Sequence, residues 1–323
     1  MRVAICICTF RRPELLRDLL HRIAGLTFGR VEKPRIQIVV VDNDELATAR
    51  EICDAVSLPW PMHYVVEPKP GITHARNRAI AEAEDTDFIA FIDDDEVPTA
   101  RWLDELLGTQ REFAGDVVSG PVFPKYTPEI PEWVRNGGFF EPRTFPTGTT
   151  RNTCACNNAL VATHVLKRVP TFDHDFALSG AEDTDFFLRV RKAGHKIVWS
   201  QEAVVFEIVS MSRGSVFWIL RREYQTGNGW VFCEASVDGR LSNPAARFAK
   251  ACGHVVIGSA KAVQGFLLFN KIAAVRALQR VTLGTGMLVA LAGHRFLAYQ
   301  PKRQPLETDE RIVLTSSSKA TNL

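Results

Sequence analysis

The sequence lacks the two glycine-rich loops by which many enzymes bind nucleotide phosphates. No Gly-x-Gly-x-x-Gly segment follows an apolar run, and no Walker loop occurs among the 323 residues. Both loops rely on glycine because the backbone N–H groups must approach the phosphates closely. Their absence argues against a dinucleotide-dependent oxidoreductase and against a P-loop nucleotidase.

Cysteines are few and follow no framework. The seven cysteines form an odd set without the spacing of a disulfide scaffold. One close pair, Cys154 and Cys156, has no second cysteine or histidine pair to complete a zinc site. The first residues form a strand pattern followed by two arginines, with no small-residue cleavage site of a secretory signal. We therefore expect a reducing, cytosolic compartment.

Long hydrophobic runs and, over one stretch, acidic residues are also missing. Between Pro244 and Tyr299 the longest uncharged run, 281–293, has 13 residues, fewer than the ~20 needed to span a bilayer. From Gly239 to Pro305 there is no Asp or Glu but there are ten Lys or Arg, so the rest of the chain carries a net charge of about −8. This split indicates a basic region that faces an anionic partner.

Short apolar runs alternate with helical patterns over the first 120 residues. We predict strands at about 3–8, 36–41, 62–66, 87–92 and 116–119. We predict helices at about 13–26, 45–56, 73–84 and 99–113, and further along the chain at 182–193 and 216–226, the last one stopped by Gly227-Asn228-Gly229. Alternation of this kind is typical of crossover units, so the predicted fold class is α/β with a mostly parallel central sheet.

One buried-strand pattern, 88–92, ends abruptly in Asp93, Asp94, Asp95 and Glu96. Adjacent carboxylates repel one another unless a cation neutralises them. Mg²⁺ and Mn²⁺ prefer carboxylate oxygens and commonly share them with nucleotide phosphates. A solvated acidic loop is the alternative interpretation. Other polar residues also fall at the carboxyl ends of the predicted strands, where parallel sheets bind ligands, and this favours a site.

An ordered set of segments resembles family 2 of the nucleotide-sugar glycosyltransferases, which have the GT-A fold. The matching segments are an opening strand ending in threonine and a basic residue, a second strand ending in aspartate, an Ala-Arg-Asn segment, an Asp-x-Asp motif and a Glu-Asp pair: 3–12, 38–43, 71–79, 93–95 and 182–183. The similarity extends over about residues 1–230. The whole pattern is similar to the bacterial exopolysaccharide glycosyltransferases of the succinoglycan type.

The resemblance implies a divalent cation, Mg²⁺ or Mn²⁺. Asp95 is then the main metal ligand, and Asp93 contributes to the metal shell through a bound water or contacts the ribose. Many relatives have a histidine beyond the base that joins this shell. Here the corresponding strand leads to Glu207, whose carboxylate could replace it; the alternative is a metal that relies on Asp95 alone.

The resemblance also implies which residues bind the nucleotide-sugar donor. These residues are Thr9, Asp42, Arg76, Asp93 and Asp94. Asp42 is expected to accept a hydrogen bond from the nucleobase, and Arg76 is expected to face the diphosphate.

The predicted catalytic residues are Asp183 and Glu182. In the family the aspartate of this pair is the general base of inverting transfer, so Asp183 is expected to take the proton from the acceptor hydroxyl. Glu182 is expected to support it or to bind the acceptor. Acidic residues are favoured at helix N-termini by the dipole alone, so capping is the alternative.

The C-terminal part has a different character. We predict a catalytic domain over 1–235, a basic amphipathic helical region over 236–300 and a disordered tail over 301–323. Helices that are too short to span a bilayer, with a broad apolar face and dispersed bases, fit a peripheral position on an anionic membrane surface. Packing of these helices on the catalytic domain is the alternative.

The predicted function is inverting, metal-dependent transfer of a sugar to a hydroxyl. The donor is a nucleoside-diphosphate-sugar, with UDP-sugar as the first choice, and the acceptor is a lipid-linked saccharide or a glycan in surface or exopolysaccharide biosynthesis. The expected place is the cytoplasmic side of the cell membrane, and no nucleic-acid partner is expected. A Gln-x-x-Arg-Trp motif is missing, which favours single additions over polymerisation. The alternatives are a sugar nucleotidyltransferase, whose glycine-rich opening loop is missing, and a non-catalytic membrane-associated scaffold.

Overall fold

The computed structural model describes residues 1–298, and the predicted tail 301–323 lies outside them. The strands in this range are β1 (Arg2–Thr9), β2 (Arg35–Asp42), β3 (Met62–Val66), β4 (Phe88–Asp93), β5 (Glu96–Pro98), β6 (Val117–Ser119), β7 (Val122–Tyr126), β8 (Thr150–Arg151), β9 (Asn158–Ala162), β10 (Ile197–Trp199) and β11 (Val205–Val209). The helices are α1 (Pro13–Ala24), α2 (Arg50–Ala55), α3 (Ile72–Glu82), α4 (Trp102–Phe113), α5 (Glu132–Arg135), α6 (Glu182–Lys192), α7 (Val216–Asp238), α8 (Pro244–Leu267) and α9 (Lys271–Leu291).

The central sheet is mostly parallel, as predicted. Its strand order is β3-β2-β1-β4-β9-β6-β10-β8. β1, β2, β3 and β4 are parallel, and β6 is parallel to β10. β9 runs antiparallel between β4 and β6, and β8 is an antiparallel edge strand. The carboxyl ends of β1, β2 and β4 therefore meet at one edge of the sheet.

The sheet is covered on both faces, which explains the continuous apolar character of its first strand. Ile5 and Ile7 of β1 pack into one core with α1 and α4, while Ala4 and Cys6 pack into a second core with α3 and α6. All four side chains are buried. A parallel strand buried on both faces needs apolar residues at every position rather than at alternate positions.

A second, three-stranded sheet brings a distant carboxylate to the acidic turn. Its order is β5-β11-β7, with β5 antiparallel to β11. In this register Glu207 of β11 lies opposite Glu96 of β5. The sheet thus places Glu207 beside the residues that follow β4.

Two predicted helices have different bounds in the structure. The helix predicted at 45–56 is shorter, since α2 covers only Arg50–Ala55 and the preceding residues form turns. The helix predicted to stop before Gly227 continues as α7 to Asp238. The stop signal was wrong because the two glycines at 227 and 229 serve helix packing.

The glycines of α7 allow other segments to approach its backbone. A Cβ on Gly227 would lie 2.1 Å from the carbonyl oxygen of Leu283 in α9. Between the glycines, buried Asn228 donates to the carbonyl of His294 at 2.9 Å and accepts from the N–H of Phe296 at 2.8 Å. Small residues at a helix crossing let backbones pack closely, and this crossing outweighs the low helix propensity of glycine.

The helical region predicted over 236–300 contains the two helices α8 and α9. They pack against each other, and α9 packs against α7. The boundary predicted between 235 and 236 falls inside α7, so it cuts a continuous helix. Among residues 1–298 no helix combines the length and the apolar character that a membrane crossing requires.

Candidate active site

The acidic run lies where β4 leaves the sheet, as predicted. β4 ends at Asp93, a turn carries Asp94 and Asp95, and β5 begins at Glu96. Glu96 closes this turn, because its Oε2 accepts a hydrogen bond of 2.9 Å from the backbone N–H of Asp93. Burial raises the pKa of Glu96 well above its usual range, and the charge of Asp93 adds to the rise. Glu96 therefore fixes the turn through this hydrogen bond.

Arg76 connects the acidic turn with the predicted catalytic pair. Its Nη2 lies 3.4 Å from Oδ1 of Asp93, and its Nη1 forms an ion pair with Glu182. The side chain of Arg76 is only 7% exposed. The next residue, Asn77, fixes α3 by exchanging two hydrogen bonds with the backbone of Phe172. Three segments far apart in sequence thus meet at Arg76, which contacts two carboxylates.

Thr9 and Asp94 are in direct contact at the ends of neighbouring strands. Thr9 donates a hydrogen bond of 2.8 Å from its Oγ1 to Asp94. Arg12, just after β1, reaches Asp94 at 3.2 Å and Asp95 at 3.1 Å. Burial raises the pKa of Asp94 to about 6, although Arg12 and Thr9 both oppose the rise. Arg12 was not singled out from the sequence, although it follows the threonine of the opening motif.

Asp95 and Glu207, two predicted metal ligands, share one arginine. Nη2 of Arg213 lies 2.8 Å from Asp95, and Nη1 pairs with Glu207. The guanidinium offsets the repulsion between the two carboxylates, because it offers a separate N–H group to each of them. Sequence reasoning missed Arg213. Its only local signal is a lone arginine a few residues beyond Glu207.

Asp183 lies at the start of α6, which comes just after two residues in the left-handed backbone conformation. Gly180 and Ala181 both have left-handed backbones, with φ of 74° and 67°. The carbonyl of Ala181 accepts a contact of 3.3 Å from the thiol of Cys233 in α7. Asp183 itself is half-buried, and its Oδ1 accepts a hydrogen bond of 2.6 Å from the N–H of Thr184.

Glu182 is the buried member of the predicted catalytic pair. Burial raises the pKa of Glu182, against the opposing charge of Arg76, and the charge of Asp183 adds to the rise. Burial likewise raises the pKa of Asp93, and Asp95, Glu207 and Asp183 contribute. These mutual effects mean that the acidic turn and the start of α6 form one electrostatic unit.

Asp42 occupies the predicted strand end, but its carboxylate is fully buried and already bonded. Its Oδ2 accepts hydrogen bonds of 2.8 Å from the N–H of Ala49 and from the hydroxyl of Tyr64, and its Oδ1 accepts one from the N–H of Asp44. The carboxylate therefore shapes the loop 43–49, and this bonding explains why the predicted helix there starts late. The expected hydrogen bond from Asp42 to a nucleobase stays a prediction, and it would have to displace one of these donors.

The donor set of the turn fits a hard divalent cation in its chemistry. Asp93 and Asp95 offer only carboxylate oxygens, which Mg²⁺ and Mn²⁺ prefer. Burial raises the pKa of Asp93, and such a site gains from a bound cation. In the described part of the chain, however, these carboxylates do not converge with Glu207 as a three-ligand cluster. Glu207 is paired with Arg213 instead, so its role as a ligand stays a prediction that requires this ion pair to open.

A pH-dependence of stability follows from Asp94. The folded protein raises the pKa of this carboxyl from 3.8 to about 6. The stabilisation from the protonated Asp94 carboxyl is therefore fully present below the unfolded pKa and is lost as the pH rises through about 6. The free energy of unfolding of Asp94→Asn minus that of wild type should be about 1–2 kcal/mol larger at about pH 7.5 than at about pH 5. Urea unfolding at both pH values measures the difference.

The control for this experiment is Asp18→Asn, which changes an exposed carboxylate on α1. This variant should track the wild type at both pH values. An Asp94→Asn variant with the same pH-dependence as wild type would contradict the assignment of the shift to Asp94.

Comparison with known proteins identifies the family. Residues 4–169 match the family model described as glycosyl transferase family 2. The succinoglycan biosynthesis protein ExoM of Rhizobium meliloti (strain 1021) is 33% identical over 305 residues, which cover 91% of this chain and 94% of ExoM. This chain belongs to glycosyl transferase family 2. It is therefore a glycosyltransferase, as its motifs predicted.

Solved structures confirm the GT-A fold of this family 2 glycosyltransferase. The mannosyltransferase PcManGT from Pyrobaculum calidifontis, in complex with GDP-Man and Mn²⁺, matches with a TM-score of 0.60 at 18% identity, covering 90% of this chain and 86% of that chain. TarS 1–349 of S. aureus matches with a TM-score of 0.51 at 16% identity, covering 91% of this chain and 92% of that chain.

Proposed function

We propose that this glycosyltransferase moves a sugar from a nucleoside-diphosphate-sugar to an acceptor hydroxyl with inversion, in exopolysaccharide biosynthesis. The observation that carries the proposal is the link through Arg76 between Asp93 of the acidic turn and Glu182 of the Glu-Asp pair. This link fixes the turn that would hold the donor diphosphate relative to the residue that would deprotonate the acceptor. The similarity to ExoM, a succinoglycan biosynthesis protein, supports the choice of pathway class.

Inverting transfer requires a base on the acceptor side of the anomeric carbon and charge neutralisation on the diphosphate side. Asp183 is the proposed base because it is half-buried at a helix start and has its second oxygen free of assigned hydrogen bonds in the described residues. Glu182 is buried against Arg76 and is therefore better suited to position Asp183 than to accept the proton. Asp94, held by Thr9 and Arg12, is proposed to orient the donor.

Asp95 and Asp93 are the residues that would hold Mg²⁺ or Mn²⁺. When bound, such an ion neutralises the diphosphate and so stabilises the leaving group. Arg12 and Arg213 already compensate the charge of Asp95, at 3.1 and 2.8 Å. We propose that these arginines turn toward the phosphates when the donor binds, since guanidinium groups match phosphate oxygens well.

The donor nucleotide and the acceptor are proposed as UDP and a lipid-linked saccharide or glycan. A screen of nucleotide-sugars for release of nucleoside diphosphate tests the donor class. Wild-type protein should release nucleoside diphosphate from one donor in the presence of Mn²⁺ and a saccharide acceptor. Release of pyrophosphate from a nucleoside triphosphate and a sugar phosphate would instead support a nucleotidyltransferase. Failure in both assays, with intact membrane binding, would support a scaffold.

The C-terminal helices offer a surface suited to a membrane. Phe266, Leu267, Leu268 and Phe269, at the turn between α8 and α9, are 61–96% exposed. We call these four residues the apolar tip. Exposed apolar residues that are contiguous mark a partner or a membrane. The basic residues of α8 and α9 favour an anionic lipid surface.

The same helix pair presents bases and small residues on other faces. Lys250, Lys261 and Lys271 are exposed. On α8, Gly258 and Gly265 instead pack directly on α9, where an added Cβ would lie within 3 Å of its atoms. The inner face is thus used for packing, while the apolar tip and the lysines are left outside. We propose that this end lies on the cytoplasmic membrane surface and brings Asp183 to a lipid-linked acceptor.

Replacement of three residues of the apolar tip should weaken membrane binding strongly. The triple variant Phe266→Ser, Leu267→Ser, Phe269→Ser should bind phosphatidylglycerol-containing vesicles at least about 100-fold more weakly, since each buried apolar side chain contributes about 1.5–3 kcal/mol. Vesicle flotation measures this binding. Leu46→Ser, an exposed leucine outside the helix pair, is the matched control and should float like the wild type.

Salt and lipid composition separate the possible outcomes. Binding that needs anionic lipid and weakens in salt supports the peripheral position, because each base near the surface contributes about 1 kcal/mol. Retention after high-salt and alkaline washing would mean insertion. Absence of binding by the full-length protein would leave α8 and α9 as packed helices and remove the main reason for a lipid-linked acceptor.

A further inference from the structure

A second cluster of ligating side chains lies at the edge of the sheet opposite the active site. Asp116 precedes β6, His195 precedes β10, and His164 follows β9. β6 and β10 run parallel to β4, and β9 runs antiparallel to it. All three residues therefore lie at the end of the strands where β4 begins, away from Asp93. The proposed glycosyl transfer uses none of them.

The three side chains converge closely. Nε2 of His164 lies 2.6 Å from Oδ1 of Asp116, and Nδ1 of His195 lies 3.6 Å from Oδ2 of Asp116. One ligand atom from each residue lies within 4.8 Å of the other two. Among the described residues this is the one group of three or more His, Cys, Asp or Glu side chains with that property.

We propose that Asp116, His164 and His195 bind a divalent late transition metal of the Zn²⁺ type. Two imidazoles and one carboxylate form a borderline donor set that favours Zn²⁺ over Mg²⁺, which prefers oxygen ligands only. This site is thus chemically distinct from the all-carboxylate turn at Asp93. Three protein ligands leave a fourth position for water.

The ligand atoms lie within 4.8 Å of one another, so the side chains must adjust to accept the ion. Ligand atoms bound to Zn²⁺ at about 2.0–2.1 Å in a tetrahedron lie about 3.3 Å apart. Nδ1 of His195 lies 3.6 Å from Oδ2 of Asp116, already close to that value. Nε2 of His164 lies 2.6 Å from the other oxygen of Asp116, Oδ1, so this pair must separate. His164 can move because its side chain is 55% exposed, whereas that of His195 is only 13% exposed.

The carboxylate of Asp116 is fixed in place by the backbone. Its Oδ2 accepts a hydrogen bond of 2.7 Å from the N–H of Lys196. The positive group of Lys196 is directed elsewhere, to the carbonyl oxygen of Phe113 at 2.7 Å. No Lys or Arg side chain is paired with Asp116 in the described residues.

A bound ion would join the ends of three adjacent strands. It would also lie just beyond the C-terminal end of α6, the helix that begins with Glu182 and Asp183. Metal binding to the folded state alone stabilises that state by mass action. The expected role is structural: the ion would fix β6, β9 and β10 and thereby the far end of the helix that carries the proposed base.

Zinc titration of the full-length protein, stripped of metal and free of a histidine tag, tests the proposal. We expect one equivalent of Zn²⁺ to bind by calorimetry and to raise the unfolding temperature. Co²⁺ should give visible absorption bands typical of nitrogen and oxygen ligands. His164→Ala should weaken binding at least about 100-fold, because it removes a direct ligand. Because His164 is exposed, its substitution should leave the fold intact, so misfolding would not explain weaker zinc binding.

Two further variants keep the result interpretable. Asp95→Asn should retain full zinc binding, because it alters only the acidic turn. Asp116→Asn, which keeps a similar shape, should lose zinc binding as His164→Ala does. Equal zinc affinity in wild type and His164→Ala, or absence of zinc binding by the wild type, would overturn the proposal and leave Asp116 and His164 as an ordinary ion pair.

Discussion

Asp183→Asn should lower the turnover number about 10²–10⁴-fold while the affinity for the nucleotide-sugar donor stays near that of the wild type, the range expected for loss of a general base. Asparagine cannot take the acceptor proton. It can, however, still accept the hydrogen bond that the N–H of Thr184 donates to Asp183 at 2.6 Å. The start of α6 should therefore remain intact. Donor binding by calorimetry and steady-state kinetics together measure the two effects.

The matched control for this experiment lies on the same helix. Asp185 is buried and pairs with Arg189 at 2.8 Å, so Asp185→Asn also removes a first-turn acid. We expect Asp185→Asn to lose stability but to retain turnover in the folded fraction. If Asp183→Asn instead unfolds, or loses donor affinity with unchanged turnover, Asp183 is a helix cap and the proposed base is wrong.

Asp95→Asn should abolish detectable turnover and should remove the part of donor affinity that depends on Mn²⁺ or Mg²⁺. Asp95 is the proposed main ligand, and an amide oxygen is a weaker ligand for a hard cation than a carboxylate is. The loss of one charge also leaves Arg12 and Arg213 with a single carboxylate partner each, Asp94 and Glu207. Donor affinity measured with Mn²⁺ and with excess chelator checks the prediction.

Asp94→Asn is the neighbouring control for the metal prediction. Asp94 bonds to Thr9 and Arg12 rather than to Arg213, so its variant should keep the difference in donor affinity between Mn²⁺ and chelator. Wild-type protein should lose turnover in chelator and recover it with excess Mn²⁺. Full wild-type turnover in chelator would contradict the metal-dependent model.

The sheet and the strand-end residues could be predicted because their signals are local. β1, β2 and β4 are short apolar runs, and each ends in a polar residue that the chain order alone places at one edge of the sheet. That Asp93 and Glu182 lie at one site could be expected only through the family resemblance. The residues are 89 positions apart, and Arg76, which joins them, comes from a third segment.

The ion pair of Arg213 and the burial of Asp42 could not be predicted from the sequence. The pairing of Arg213 with Asp95 depends on the second sheet, whose strands β5 and β11 are far apart in the chain. The burial of Asp42 depends on Tyr64 in β3. Neither contact leaves a pattern near the residue itself.

The glycines of α7 misled the prediction for a related reason. Glycine and asparagine usually end helices, and this local rule gave a stop at Gly227. The rule fails here because α9 crosses at this point and the backbones approach too closely for a side chain. The decisive fact was a tertiary contact more than fifty residues away in the chain.

Nuclear magnetic resonance of the product tests the central claim most directly. If Asp183 deprotonates the acceptor on the face opposite the diphosphate held at Asp93–Asp95, the new linkage must have the inverted anomeric configuration relative to the donor. The account predicts a β linkage from an α-configured nucleotide-sugar, read from the coupling constant of the anomeric proton. An α linkage from the same donor would contradict it.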